Sequence, residues 1–452
     1  MRSLLPSFKP RMSETTSLQQ RSLAAVWHPC TQMKRHESLP PLAIARGEGP
    51  WLYDVEGKRY LDGISSWWVN LFGHAHPQIN AALKDQLDTL AHAMLSGCTH
   101  APVVELSERL AALTGHQLGH CFYASDGASA VEISLKMSFH FWRNTGRAEK
   151  REFVCLKNSY HGETLGALSV TDVDLFRDAY DPLLRHAHIV ASPDARNAES
   201  AEVAAKNAIQ ALETLLADKH AQIAALIVEP LVQCATGMAM YDPLYLREAR
   251  RLCDQYDVHL IADEIAVGCG RTGTFFACEQ APIWPDFICL SKGISAGYLP
   301  LSLVMTTDTI YAAFYDEDVT RGFLHSHSYT GNPMACRAAL AALDLFAADN
   351  VLAANRMRAA RLNELLQPLA ADSRILHYRN RGMIWAFDAI IEDPAKAATF
   401  SNRFHQAALG QGLLLRPIGT TMYLMPPYVL DDDALVHLAR GTIASFNEVM
   451  AA

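Results

Sequence analysis

Short apolar runs and longer amphipathic stretches take turns through the middle of this chain. The runs at residues 121–125, 153–156, 225–228, 258–262, 287–290 and 301–306 are strand-length and rich in β-branched or aromatic residues. Between them, residues 126–142, 201–219 and 243–256 repeat apolar positions at helical spacing. Strands alternating with helices over this length predict a doubly wound, mostly parallel sheet. Upstream, Trp51-Leu-Tyr-Asp and Arg59-Tyr-Leu-Asp flank Val-Glu-Gly57-Lys, which predicts a hairpin. Downstream the rhythm changes. Residues 334–346 read as a helix and 352–369 as one long helix. Strands follow around 374–378 and 383–388, then a helix near 400–409. Residues 413–416 and 422–424 look like strands paired with each other, and 431–450 closes the chain as a helix. This second pattern predicts a smaller α+β domain. Residues 1–20 are basic, then polar, without the apolar stretch of a signal peptide, and read as a loose tail.

Composition narrows the class. Half of the 452 residues are hydrophobic, enough for a large core and more than one domain. The formal net charge of −9 speaks against a nucleic-acid or anionic-membrane partner. No run reaches the roughly 18 apolar residues of a membrane span. Ten cysteines are scattered without a C-x-x-C pair, as expected of reduced thiols in a cytoplasmic protein.

The chemistry is concentrated at strand ends. The run at 258–262 stops at Asp263 and Glu264, and the run at 287–290 stops at Ser291 and Lys292. Two neighbouring parallel strands would open both ends onto one crevice. A lysine there can form a Schiff base with a carbonyl cofactor, and an acid can hold a pyridinium nitrogen. The plain alternative is an ion pair at strand ends. Two motifs compete nearby. Gly268-Cys-Gly270-Arg-Thr-Gly273 matches a dinucleotide fingerprint but opens no clear helix. Gly293-Ile-Ser295-Ala-Gly297 matches a hydrolase elbow, but Pro300 would stop the helix that it needs.

Other positions suit the first reading. Asp126-Gly127-Ala128-Ser129 opens a helix whose free N–H groups could hold a phosphate, or is an ordinary cap. Glu132 and Lys136 would support that helix as an i, i+4 pair. Tyr160-His-Gly162 ends a strand, where an aromatic could lie over a ring or simply fill a turn. The adjacent Trp67 and Trp68 sit on a short loop; one suits the core, the other a pocket wall. His74 and His76 lack a third ligand nearby and suit a structural role. The polar loop at 323–333 precedes a helix and could also meet a phosphate. Arg416, in an otherwise apolar run, is either a surface ion-pair partner or a fork for a substrate carboxylate.

Taken together, Ser125-Asp-Gly127, Tyr160-His-Gly162, Asp263-Glu-Ile, Gly270-Arg271-Thr-Gly273, Ser291-Lys292-Gly and Tyr329-Thr-Gly-Asn332-Pro333 stand in the order found in class III aminotransferases. The chain resembles that family from about Trp27 onward. Trp27-His-Pro-x-Thr-Gln-Met, Ser65-Ser-Trp67-Trp68, Arg416-Pro and Tyr423-Leu-Met-Pro-Pro-Tyr428 resemble its biotin-synthesis branch. The resemblance implies a fold-type I transferase that uses pyridoxal 5′-phosphate. Its large domain would span 76–335 and its small domain 336–452, with 21–75 contributing to the small domain. It also implies a homodimer with sites at the subunit interface, 8-amino-7-oxononanoate as amino acceptor and usually S-adenosylmethionine as donor. Lys292 then matches the Schiff-base lysine, Asp263 the pyridinium partner, and Gly127 and Ala128 the phosphate cup. His327 and Ser328 match phosphate contacts given by the neighbouring subunit, and Ser326 a backbone contact to substrate. Tyr160 and Trp67 match pocket walls, and Arg416 the carboxylate anchor. Three positions near the substrate pocket depart from the pattern: Cys30 stands where tyrosine is frequent, Glu163 where aspartate is, and His327 where some members have proline.

Overall fold

A computed structural model describes residues 17–451. Its strands, in chain order, are β1 (Ile44–Glu48), β2 (Trp51–Asp54), β3 (Arg59–Asp62), β4 (His120–Ala124), β5 (Glu152–Leu156), β6 (His188–Val190), β7 (Ile223–Val228) and β8 (Val232–Gln233). They continue with β9 (Ala239–Met240), β10 (His259–Asp263), β11 (Phe287–Leu290), β12 (Ser302–Thr306), β13 (Ile375–Arg381), β14 (Ile384–Ala389), β15 (Leu413–Leu414) and β16 (Thr421–Leu424).

The central sheet has seven strands in the order β4-β12-β11-β10-β7-β5-β6. Its β5/β6, β5/β7, β7/β10 and β10/β11 pairs are parallel, whereas β12 runs antiparallel to both β11 and β4. One strand is therefore reversed in an otherwise parallel sheet. Every residue of β7, β10 and β11 is buried, as continuous apolar runs covered on both faces must be. The helices Ala201–Lys219 and Leu244–Tyr256 form where the spacing predicts, the first capped by the Ser200 side chain accepting from Val203 N–H. Because β4, β5, β7, β10 and β11 all point the same way, their carboxyl ends share one edge of the sheet.

A four-stranded sheet, β1-β2-β3-β15, joins the predicted hairpin to the C-terminal part of the chain. A three-stranded antiparallel sheet, β13-β14-β16, lies beyond it. Here the sequence-based pairing is corrected. Residues 413–416 do not pair with 422–424; Leu413 lies opposite Leu61 of β3, and β16 pairs with β14. Pro417 lacks an N–H and restrains Arg416, so β15 stops early, while the edge of β3 offers Leu61 N–H to the Gly412 carbonyl. The long helix expected over 352–369 is two, Val351–Leu365 and Gln367–Ala370, divided where Pro368 can continue no ladder. The tail expected over 1–20 overlaps a helix at its end. Residues 1–16 lie outside the described residues, but helix Leu18–Ala25 begins at a capping box between Ser17 and Gln20. Glu132 and Lys136 turn away from each other: Glu132 accepts from Gly166 N–H and Lys136 meets His325 Nδ1 at 2.9 Å. No single helix among the described residues is long and apolar enough to cross a membrane.

Candidate active site

A cavity of about 210 Å³ opens at the shared carboxyl edge of the central sheet. Asp263 closes β10 and Lys292 follows β11 one residue after Ser291, so the parallel β10/β11 register brings acid and amine to the same wall. Asp263 is buried and Lys292 half-buried; Lys292 also has φ +46, in the left-handed region where side chains are disfavoured. Burial pushes its amine below the ordinary value, against the opposing pull of Asp263. The amine lies 5.4 Å from the centre of the Trp68 ring.

Asp263 is held from two sides. Oδ1 accepts from Ile265 N–H at 3.1 Å, and Oδ2 accepts from His161 Nδ1 at 2.7 Å. His161 is itself buried, and its Nε2 has no hydrogen-bond partner. Behind it Glu229, at the end of β7, accepts from Tyr160 N–H and Cys234 N–H, each at 3.0 Å. Burial pushes the Glu229 carboxyl up to about 7; Asp263 adds to the rise, and His161 and the two N–H groups oppose it. Tyr160 donates its hydroxyl to Glu163 at 2.9 Å, and burial and that carboxylate raise its phenol.

At the end of β4, Asp126 caps an 18-residue helix, Gly127–Asn144, by accepting from Ser129 N–H. Gly127 and Ala128 are its first two residues, whose N–H groups have no acceptor inside the helix and line the cavity. Gly162, at φ +120, lies directly against this start; a Cβ there would meet Ala128 Cβ at 2.6 Å.

On the open side, the two tryptophans part company. Trp68 is buried and lines the cavity, whereas Trp67 is 45% exposed and lies outside it, with the Arg416 guanidinium 5.6 Å from its ring. The loop expected around them is a left-handed turn, Ser65–Trp68, with φ between +46 and +74 at all four residues. Each such residue costs about 1–2 kcal/mol against the right-handed form. Cys30 is exposed at φ +49, within electrostatic reach of the Tyr160 hydroxyl. Ser326, His327 and Ser328 do not line this cavity. His327 instead meets His325, their Nε2 atoms 3.1 Å apart, with Ser326 and Ser328 exposed on either side.

The competing motifs take other roles. Ser295 is buried and donates to the Leu299 carbonyl at 2.6 Å, so it presents no nucleophile. His74 pairs with Asp62 at 3.0 Å, and among the described residues no group of three or more His, Cys, Asp or Glu is placed to hold a metal.

Comparison with known proteins decides the family. The class-III aminotransferase profile matches residues 32–443. The chain belongs to the class-III aminotransferase family. Similar proteins include two named adenosylmethionine-8-amino-7-oxononanoate aminotransferase. That of Helicobacter pylori is 45% identical over 95% of this chain and 99% of its own length. That of Geobacter sulfurreducens is 38% identical over 96% of this chain and 98% of its own length. A crystal structure of the enzyme of that name from Methanocaldococcus jannaschii superposes with a TM-score of 0.89 at 32% identity, covering 95% of this chain and 98% of the other. A pyridoxal-phosphate-bound amine transaminase from an uncultivated Pseudomonas species superposes equally, at 0.89 and 31% identity, covering 94% and 99%.

As a class-III aminotransferase the chain uses pyridoxal 5′-phosphate. The residues present fit it: a buried amine of lowered basicity, a fixed carboxylate facing the same space, free helix-start N–H groups and an unpartnered buried His161 nitrogen. His161 lies within Tyr160-His-Gly162, where the motif gives the histidine no role of its own, and the family pattern favours Trp67 over Trp68 as a wall. Glu229 follows β7 as directly as Asp263 closes β10, so it too is an acid at a strand end. Nothing in the sequence showed that His161 would reach Asp263, a residue 102 positions away.

Proposed function

We propose that this aminotransferase transfers an amino group to 8-amino-7-oxononanoate, forming 7,8-diaminononanoate in biotin biosynthesis, with S-adenosylmethionine as amino donor. The observation that carries the reading is the relative of that name, 45% identical to the chain and matched over nearly the whole of both proteins. Bound pyridoxal phosphate supplies a carbonyl for the amine and a ring that takes up electrons. The rest falls to the chain. Lys292, its amine made less basic by burial, would hold the cofactor and then move a proton to and from the substrate carbon. Asp263, fixed by His161 and Ile265 N–H, keeps a proton on the ring nitrogen. The N–H groups of Gly127 and Ala128 take the phosphate, and Tyr160 covers the ring. Trp67, Cys30 and Glu163 border the substrate, and Arg416 binds its distant carboxylate with a planar fork.

The enzyme works as a homodimer in this reading. Ser326, His327 and Ser328 do not line their own cavity and in this reading serve the neighbouring subunit, His327 and Ser328 at the phosphate and Ser326 at the substrate. Phe139 and Leu324, both exposed, border a hollow of about 490 Å³ near this loop, as an unpaired interface would. Residues 21–75 and 336–452 form the small domain, an arrangement supported by the β3/β15 pairing, and 76–335 form the large one. Ten free cysteines suit the cytoplasm.

A second reading, another class-III transaminase, draws on the Pseudomonas amine transaminase; its acceptor would be pyruvate. One experiment separates the readings. The yellow protein is mixed with S-adenosylmethionine, lysine or a simple amine, and the spectral change to the amino form of the cofactor is followed. The amino form is then challenged with 8-amino-7-oxononanoate or pyruvate. Turnover by S-adenosylmethionine and 8-amino-7-oxononanoate supports the proposal; lysine in place of S-adenosylmethionine changes the donor, and a simple amine with pyruvate overturns it.

A further inference from the structure

Four consecutive non-glycine residues in the left-handed region are held only where the surroundings over-determine them. Ser65, Ser66, Trp67 and Trp68 have φ of +51, +46, +71 and +74. Trp68 N–H donates to the Ile64 carbonyl and Val69 N–H to that of Ser65, closing the turn. Its supports are polar and come both from neighbouring residues and from distant parts of the chain.

Asp62, fully buried at the end of β3, is the central support. Its Oδ1 accepts from Ser66 N–H at 2.8 Å and its Oδ2 from the Ser66 hydroxyl at 2.7 Å. The same Oδ2 lies 3.0 Å from His74 Nε2. Asn70 Nδ2 lies 3.1 Å from His74 Nδ1; the amide donates there, so Nε2 carries the proton that His74 gives to Asp62. Ser65 donates to the Met425 carbonyl at 2.8 Å and Trp68 Nε1 to the Tyr423 hydroxyl at 3.1 Å. Arg271, fully buried, donates to the carbonyls of Asn70 at 2.9 Å and Pro426 at 2.6 Å. Behind the exit of the turn stands Gly297, where a Cβ would come within 3.1 Å of the Asn70 backbone.

The turn separates two adjacent tryptophans in direction. Successive side chains of a helical turn, of either hand, diverge by about 100°. One tryptophan therefore faces the Lys292 amine at 5.4 Å and the next faces the Arg416 guanidinium at 5.6 Å. An extended backbone would send the two rings to opposite faces, and one would lose its cation. We propose that Asp62, Ser66 and His74 are positioning residues for acceptor choice: by holding this left-handed turn they set the span between the reacting end and the carboxylate end of a long apolar acceptor. The inference rests on the reading of the reaction given above. It makes the tryptophan pair a length gauge for substrates with a ketone at one end, a carboxylate at the other and methylenes between.

The test uses the holoenzyme and a series of amino-oxo-carboxylates that differ by single methylenes. Ser66 is exposed, so its substitution spares the core. Ser66→Val places a β-branched residue where the left-handed region resists it, and removes the hydroxyl bond to Asp62. Ser66→Gly loses the same bond but adopts the left-handed backbone freely. Ser66→Val is expected to raise KM for the preferred length about tenfold or more and to flatten the length optimum. Its donor half-reaction should stay within about twofold. Ser66→Gly should restore the optimum. The near-ultraviolet circular dichroism of the paired tryptophans gives a readout independent of turnover, changed in Ser66→Val and restored in Ser66→Gly. A Ser66→Val enzyme that keeps both the dichroism and the length optimum overturns the inference, as does equal loss in both half-reactions. A wild-type enzyme inactive on the entire series, yet active with pyruvate, overturns the reaction itself and the length gauge with it.

Discussion

Two walls of the candidate site, one at the cavity and one reaching beyond it, are built on opposite principles. On one, Asp263 and Lys292 stand at the ends of adjacent, fully buried parallel strands, 29 positions apart by their numbering, in a register set by backbone ladders. On the other, Trp67, Trp68 and Arg416 are gathered from a strained turn and the loop after β15, and Arg416 is exposed. The first wall is rigid because hydrogen bonds and burial fix its backbone. The second is held by side-chain bonds to Asp62, Met425 and Tyr423, which a few substitutions can alter. Chemistry shared by a whole family sits well on the first kind of wall, and substrate choice on the second.

Lys292→Ala breaks this contrast most severely. Removing the amine takes away both cofactor attachment and proton transfer, so turnover is expected to vanish; near-normal transamination in a coupled assay would remove Lys292 from its assigned role. Asp263→Asn comes next. The fold should survive, because the amide oxygen can still accept from Ile265 N–H, but the rate should fall well beyond about tenfold, or roughly 1.4 kcal/mol of barrier. A loss smaller than that in stopped-flow traces would mean that Asp263 does not hold the ring nitrogen.

Arg416→Lys tests the second wall. Lysine cannot copy the planar fork, and losing a charge-assisted contact costs about 1.5–3 kcal/mol, or roughly 10- to 150-fold in KM for the acceptor. The donor half-reaction should change far less. Equal loss in both half-reactions would make Arg416 a general support of the site.

The smallest effect concerns stability. The folded chain holds the Glu229 proton more tightly than the unfolded chain, since burial raises its carboxyl from 4.5 to about 7. That contribution is fully present below pH 4.5 and is lost as pH rises through 7. Glu229→Gln cannot titrate, so it should flatten part of the decline in melting temperature over this window. A slope identical to wild type would show that Glu229 does not carry the proton.

Much of the first wall was legible. Apolar runs ending in an acid or a lysine identify strands and their chemical ends together, and helices such as Ala201–Lys219 appeared where the spacing placed them. Errors gathered where one segment could satisfy two partners. Residues 413–416 carry an apolar pattern that fits either sheet, and the free edge of β3 took it. The residues alone left Trp67 and Trp68 equal, and only the resemblance favoured Trp67, because adjacent residues carry no directional signal until the sign of φ is known.

By itself the sequence determined the alternation of strand and helix, the acid and lysine at neighbouring strand ends, and the family, because local periodicity and motif order are properties of consecutive residues. Only the tertiary structure decided that His161 meets Asp263, that Trp68 rather than Trp67 faces Lys292, and that β15 joins β3. Those outcomes depend on which distant groups compete for one hydrogen bond or one edge, and on supports such as Asp62 that hold a left-handed turn against its local preference.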